Sequence, residues 1–222
     1  MTLPNDDVLD LLESRFVLGH QNIQKELHVG LSHGYRRTQS AVGTTNGAGG
    51  RNVQFIVLAA DETVLHALPG FWHAEDLIAE LQLALELHAL YGDERITERR
   101  RAQMFEMLHR SHVRRHGPAA ERRGQWQNFD ENYERKRAET EERDTFAWDE
   151  HGEKRLKSIP ELVHDRLLER PFRKLDAFDM EAFVDYGRPY YDNNHGDNGV
   201  TFRSAVRANQ KRQRQQEKAR GG

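Results

Sequence analysis

Apolar and polar positions alternate in two clear rhythms in the middle of this chain. Val53-Gln-Phe-Ile-Val-Leu is a near-continuous apolar run with β-branched members, the pattern of a buried strand. Ala59-Ala-Asp-Glu reads as a turn. Thr63-Val-Leu-His-Ala-Leu then predicts a second strand, close enough to pair antiparallel with the first. Pro69-Gly70 ends it. From His73 to Tyr91 the rhythm becomes helical. Leu77, Ile78, Leu81, Ala84, Leu85 and His88 step by three and four, which gives one buried stripe, and Gly92 stops the helix. The predicted interior is Phe55, Ile56, Leu58, Val64, Leu77 and Leu81.

Other segments carry weaker patterns. Val8, Leu11 and Leu12 predict a short helix led by Asp6 and Asp7, acids placed where the helix dipole favours them. Phe16-Val-Leu reads as a strand. Residues 43–50, Gly-Thr-Thr-Asn-Gly-Ala-Gly-Gly, read as a flexible loop with neither dinucleotide nor P-loop spacing. Beyond Gly92 the chain turns highly charged. Residues 96–116 predict a helix with a thin stripe of Met104, Phe105 and Leu108, broken by Gly117-Pro118. Trp126, Phe129 and Tyr133 predict one contact face on a solvated helix. Ile159-Pro160-Glu161 opens a further helix with Leu162, Val163, Leu167 and Leu168, ended by Pro171. Residues 178–186 predict a short amphipathic turn.

Composition sharpens this division. Apolar residues are 36% and charged residues 31% of 222, against norms of about 45–50% and about 25%. The core is therefore small, and mean hydropathy of -0.89 leaves no room for a membrane span. The expected organisation is an α/β domain at 1–92, a helical extension at 93–200 and a basic, disordered tail at 201–222. Net charge is -3, and residues 203–220 hold seven cations and one anion. Subtracting that +6 leaves -9 on the rest of the chain. There is no cysteine, which excludes disulfides, thiolate nucleophiles and zinc–thiolate sites. The first ten residues hold no base, so no secretory signal and a cytoplasmic location are expected.

The order strand, turn, strand, Pro-Gly-aromatic, acid-opened helix over residues 52–81, NVQFIVLAADETVLHALPGFWHAEDLIAEL, resembles the C-terminal half of thioredoxin-like domains. Residues 6–18, DDVLDLLESRFVL, are similar to the segment after that family's redox motif. The resemblance covers about residues 6–91 and implies α/β architecture: an incomplete thioredoxin-like sheet with packed helices, then a mostly α-helical charged extension. The family's Cys-x-x-Cys would lie upstream of Asp6, and its cis-proline would fall in Gly49-Gly-Arg-Asn52, which has none. Thiol–disulfide exchange needs a thiolate, so no catalytic residue carries over.

Twelve histidines supply the remaining candidate chemistry. Glu106-x-x-His109 and Glu161-x-x-His164 repeat the spacing that places a carboxylate and an imidazole on one helix face, as in di-iron bundles. Both residue types are frequent here, so two such spacings are unsurprising, and Arg110, Arg114 and Arg115 crowd the first. His109, His112 and His116 also share a face, without an evident partner for their second nitrogens.

Three functional readings follow. The first is a non-catalytic thioredoxin-like binding or scaffold module, needing no cofactor and docking a protein partner or a second copy. The second is a metal-binding helical protein using Glu106, His109, Glu161 and His164. The third is nucleic-acid binding through Arg203, Arg207, Lys211, Arg212 and Arg214, with Tyr190 and Tyr191 able to stack beside them. The acidic body makes the third the weakest on electrostatics.

Overall fold

The computed structural model describes residues 2–21, 54–70, 72–123, 126 and 128–185. The glycine-rich loop 43–50, Val53, Phe71, the aromatic segment after Tyr186 and the basic tail lie outside the described residues, as do the side chains of Phe129 and Tyr133. The described chain is a mixture of helix and strand with two small antiparallel sheets.

Helix α1, Asp6–Arg15, is capped by Asn5, whose side chain accepts from the Val8 N–H. It buries Val8 and Leu12. Phe16-Val-Leu, expected as a strand, is not one, and Val17 is fully exposed. An apolar triplet without a partner edge has no ladder to join.

Strands β1, Phe55–Leu58, and β2, Val64–Leu68, form the expected hairpin. Every residue of β2 is buried, whereas β1 alternates and leaves Ile56 and Leu58 exposed. The prediction of a buried β1 core is corrected on those two residues. Both faces of β2 are covered, and only one face of β1 is. The register shifts between Val57 and Leu58, so that Val57 pairs with His66 and Leu58 with Val64. The extra residue, Leu65, is a bulge next to His66, and bulges re-aim the side chains beside them. Gly70, at φ 83, makes the turn that leads on toward α2, Ala74–Tyr91.

Helix α3, Glu98–Arg123, returns antiparallel to α2 through a short connection. It does not break at Gly117-Pro118 as expected. Pro118 lies on the exposed side, so water can take over the carbonyl one turn earlier that loses its N–H partner. Helix α4, Asn128–Arg137, is short, and Trp126 lies before it rather than on it. The Trp126 indole N–H donates to the Lys157 carbonyl at 2.8 Å. Strands β3, Phe146–Trp148, and β4, Lys154–Leu156, form a second hairpin that the polar pattern concealed. Helix α5, Ile159–Leu168, opens with a capping box between Ser158 and Glu161. Helix α6, Met180–Phe183, closes the described chain.

The main core joins Val8, Val64, Leu68, Leu77 and Leu81 to Ile159, Leu162, Val163, Phe178 and Phe183. It draws on both sides of Gly92, so that residue ends a helix rather than a core. A smaller cluster of Leu83, Leu87, Leu90 and Phe105 holds the other end of the α2–α3 pair. The last segment is tied down by ion pairs. Arg166 donates to Asp144 and to the Phe183 and Asp185 carbonyls, and Arg137 and Arg143 both reach Asp185.

Two measurements check this fold. Leu77 is fully buried at the centre of the core, so Leu77→Ala is expected to cost about 2–5 kcal/mol in urea unfolding. Burial raises the Asp144 and Asp185 carboxyls, but Arg166 at the first and Arg137 with Arg143 at the second more than reverse this, and both end lowered. A lowered carboxyl stabilises the fold above its unfolded value of about 3.9, and that contribution is lost as pH falls through the folded value. The D144N/D185N double variant is expected to be less stable near neutrality and to lose less stability between pH 5 and pH 2, read by thermal melts.

Candidate functional site

Five buried polar side chains meet where β2, α2, α3 and α5 come together: His66, Glu80, His109, His112 and His164. Each element delivers its residue for a local reason. His66 is carried inward with the rest of the fully buried β2. Glu80 is one turn after Asp76 and lies on the α2 face that also buries Leu77, Leu83, Ala84 and Leu87. His109 and His112 are three apart on α3 and share the buried face with Phe105. His164 sits between Val163 and Leu167 on α5.

The Glu80 carboxylate is the hub. His66 Nε2 is 2.7 Å from Oε2. His164 Nε2 is 3.2 Å and His112 Nε2 3.0 Å from the other oxygen, Oε1. The His112 Nε2 contact is close but out of line for a regular hydrogen bond. Behind His164, its Nδ1 is 2.8 Å from His109 Nδ1. His109 in turn packs against the Phe105 ring, with centroids 4.3 Å apart. The far nitrogens, His66 Nδ1 and His109 Nε2, are buried without partners.

Electrostatics explain the protonation. Burial raises the Glu80 carboxyl, but His164, His112 and His66 around it overcome this and hold it well below the usual carboxylate range. Burial depresses His66, partly offset by its bond to Glu80. Burial depresses His109 strongly, and the neighbouring imidazoles His164 and His66 add to the effect. The cluster therefore combines a carboxylate held ionised with two imidazoles, His66 and His109, that burial disfavours as cations. That leaves one buried negative charge to be balanced, either by a proton on an imidazole or by a cation.

The donor geometry suits a metal ion. One atom each from Glu80, His112 and His164 lies within 4.8 Å of the others. Metal–nitrogen and metal–oxygen bonds of about 2.0–2.2 Å place neighbouring donors roughly 3–3.5 Å apart. The observed 3.0 and 3.2 Å separations from Oε1 fall in that range.

Of the predicted ligand set, His109 and His164 do come together. Glu106 and Glu161 do not join them. Glu106 is exposed and pairs with Arg110 at 2.8 Å. Glu161 serves the α5 capping box and pairs with Arg155 at 2.7 Å. His116 is exposed, with its ring centroid 4.7 Å from that of His112. The motif spacing missed Glu80 and His66. Their signal was a glutamate on an apolar helix stripe and a histidine inside an apolar strand. The cations Arg203, Arg207, Lys211, Arg212 and Arg214 lie outside the described residues. Among those described, no helix is long and apolar enough to cross a membrane.

Searches against protein-family models, curated proteins and solved structures found no match.

Removing the hub is the test of this network. Glu80→Ala leaves three buried imidazoles without their shared carboxylate and is expected to destabilise the protein by about 1–3 kcal/mol. Urea unfolding measures it, and an unchanged midpoint would refute the network's structural weight.

Proposed function

We propose that this protein binds one divalent first-row transition metal, zinc or a chemical neighbour, through Glu80, His112 and His164. The observation that carries the reading is the buried His112 Nε2. It lies 3.0 Å from the oxygen that His164 also approaches, out of line for a regular hydrogen bond with it. A metal ion at the meeting point of the three atoms satisfies all of them. Imidazole and carboxylate donors without sulfur suit zinc, iron, nickel or copper better than magnesium or calcium.

The surrounding residues fit the same role. His66 donates from Nε2 to the free oxygen of Glu80 and so orients the carboxylate. The contact between His109 and His164 fixes which ring nitrogen of His164 faces the metal. Partners of this kind orient metal ligands and raise their basicity. Glu80, His112 and His164 are 3%, 4% and 2% exposed, so the site is closed to solvent. Three protein donors leave a fourth position for a small ligand such as water. On this reading the ion clamps α2, α3 and α5 together, and binding contributes directly to folding.

The alternative is a redox-inactive thioredoxin-like binding module. The order β1, β2, α2 supports it, as do the exposed Ile56 and Leu58 on β1, where a protein partner or second copy would dock. It gives the buried imidazoles no role, which is why the metal reading is preferred.

Elemental analysis of protein dialysed after expression in metal-supplemented medium is expected to find about one ion per chain. The H112A/H164A variant is expected to retain none. Zinc at about 100 times its Kd should raise the stability of metal-free protein by about 2.7 kcal/mol. Wild-type protein that retains no zinc, iron, manganese, cobalt, nickel or copper, and gains no stability from any of them, would refute the reading.

A further inference from the structure

A closed site needs a route by which the ion arrives, and the α2–α3 interface offers one. Asp76 and Glu80 are four apart on α2; His112 and His116 are four apart on α3. The helices run antiparallel, so these pairs make two rungs across one interface. The inner rung is Glu80 with His112, at 3.0 Å. By position, Asp76 and His116 make the outer rung, each one turn out from Glu80 and His112 on its helix. The rungs are linked along α3, where the His112 and His116 rings lie 4.7 Å apart, centroid to centroid, and 35° from parallel. His116 is exposed while His112 is buried, so the two imidazoles lead from solvent to the inner site.

Asp76 is buried yet does not face the outer rung unopposed. Arg123, near the end of α3, donates from Nε to Asp76 Oδ2 at 2.9 Å and from its terminal nitrogen to Oδ1. Its other terminal nitrogen pairs with the exposed Glu75 at 3.0 Å. The guanidinium thus covers both Asp76 oxygens and adds positive charge at the outer rung, which repels an approaching dication.

We propose that His116 and Asp76 form a transfer step that passes a divalent metal ion from solvent to Glu80, His112 and His164, and that Arg123 restrains it by occupying Asp76. The proposal rests on the metal reading above. A hydrated ion loses its waters reluctantly, and a bare ion crossing the apolar interface pays the full desolvation cost. An imidazole at the surface exchanges the first water, and the next donor lies one turn inward. No bond in the protein is made or broken other than coordination bonds.

A transfer residue speeds loading and release equally and leaves affinity alone. Uptake of cobalt(II) by the metal-free full chain, followed by its visible absorption, and release to excess EDTA read the two rates. His116→Ala and His116→Gln are expected to slow both by roughly tenfold with Kd unchanged. Arg123→Gln is expected to speed both. A merely structural role for His116 would instead raise Kd through faster release, and that result overturns the proposal. So do rates indifferent to either His116 substitution, whatever Arg123→Gln does to folding. Wild-type protein that takes up neither cobalt nor zinc removes the metal reading and the transfer step together. Normal loading with rates indifferent to His116 removes the transfer step alone.

Discussion

Everything distinctive in this structure depends on burying one carboxylate. Glu80 sits at 3% exposure with imidazoles on both of its oxygens. An isolated buried carboxylate would take up a proton, because desolvation favours the neutral form. Here the surrounding rings reverse that preference, and Glu80 stays ionised. The four elements that supply the carboxylate and those rings must therefore hold their relative positions, since a shift of an ångström would leave the charge without partners.

The rest of the scaffold reads as support for that constraint. The bulge at Leu65 sets His66 against the carboxylate. Phe105 walls His109, and the cluster of Leu83, Leu87 and Leu90 fixes the far end of the α2–α3 pair. The capping box at Ser158 starts α5 at a defined residue, which sets the rotation that turns His164 inward. Arg166 and Asp144 anchor the opposite side of α5 to the chain that follows α4. The cluster's polar groups are thus enclosed by apolar packing at each end and by ion pairs outside it.

How much of this was legible in the sequence depends on which force decides each residue. Periodicity located α1, the β1–β2 hairpin, α2 and α5, because burial of one face leaves a mark every three or four residues, or every two. It placed Leu77, Leu81 and Val64 correctly inside. It could not decide Ile56 and Leu58, since coverage of the second face of β1 depends on what packs there. The β3–β4 hairpin was hidden because Lys154 and Arg155 give it no apolar alternation. At the site, Glu-x-x-His spacing found two of the five members and paired each with the wrong carboxylate. Glu106 and Glu161 have local partners four and six residues away, Arg110 and Arg155, and local pairs win when nothing distant competes. Glu80 and His66 are 14 residues apart in sequence, and only the fold brings His109, His112 and His164 to them.

The chain has a small apolar share, so interior positions are scarce. Five of them hold a glutamate and four histidines. Replacing buried ionic groups with well-packed apolar residues is often neutral or stabilising by about 1–4 kcal/mol. A fold selected for stability alone would fill these positions with leucine, as it does at Leu77, Leu81 and Leu87. Hydrogen bonding within the cluster offsets only part of the cost, because His66 Nδ1 and His109 Nε2 remain without a partner. On the proposed reading, a bound divalent cation neutralises the carboxylate, gives His112 Nε2 a coordination bond and turns the most expensive part of the core into the interaction that joins its helices.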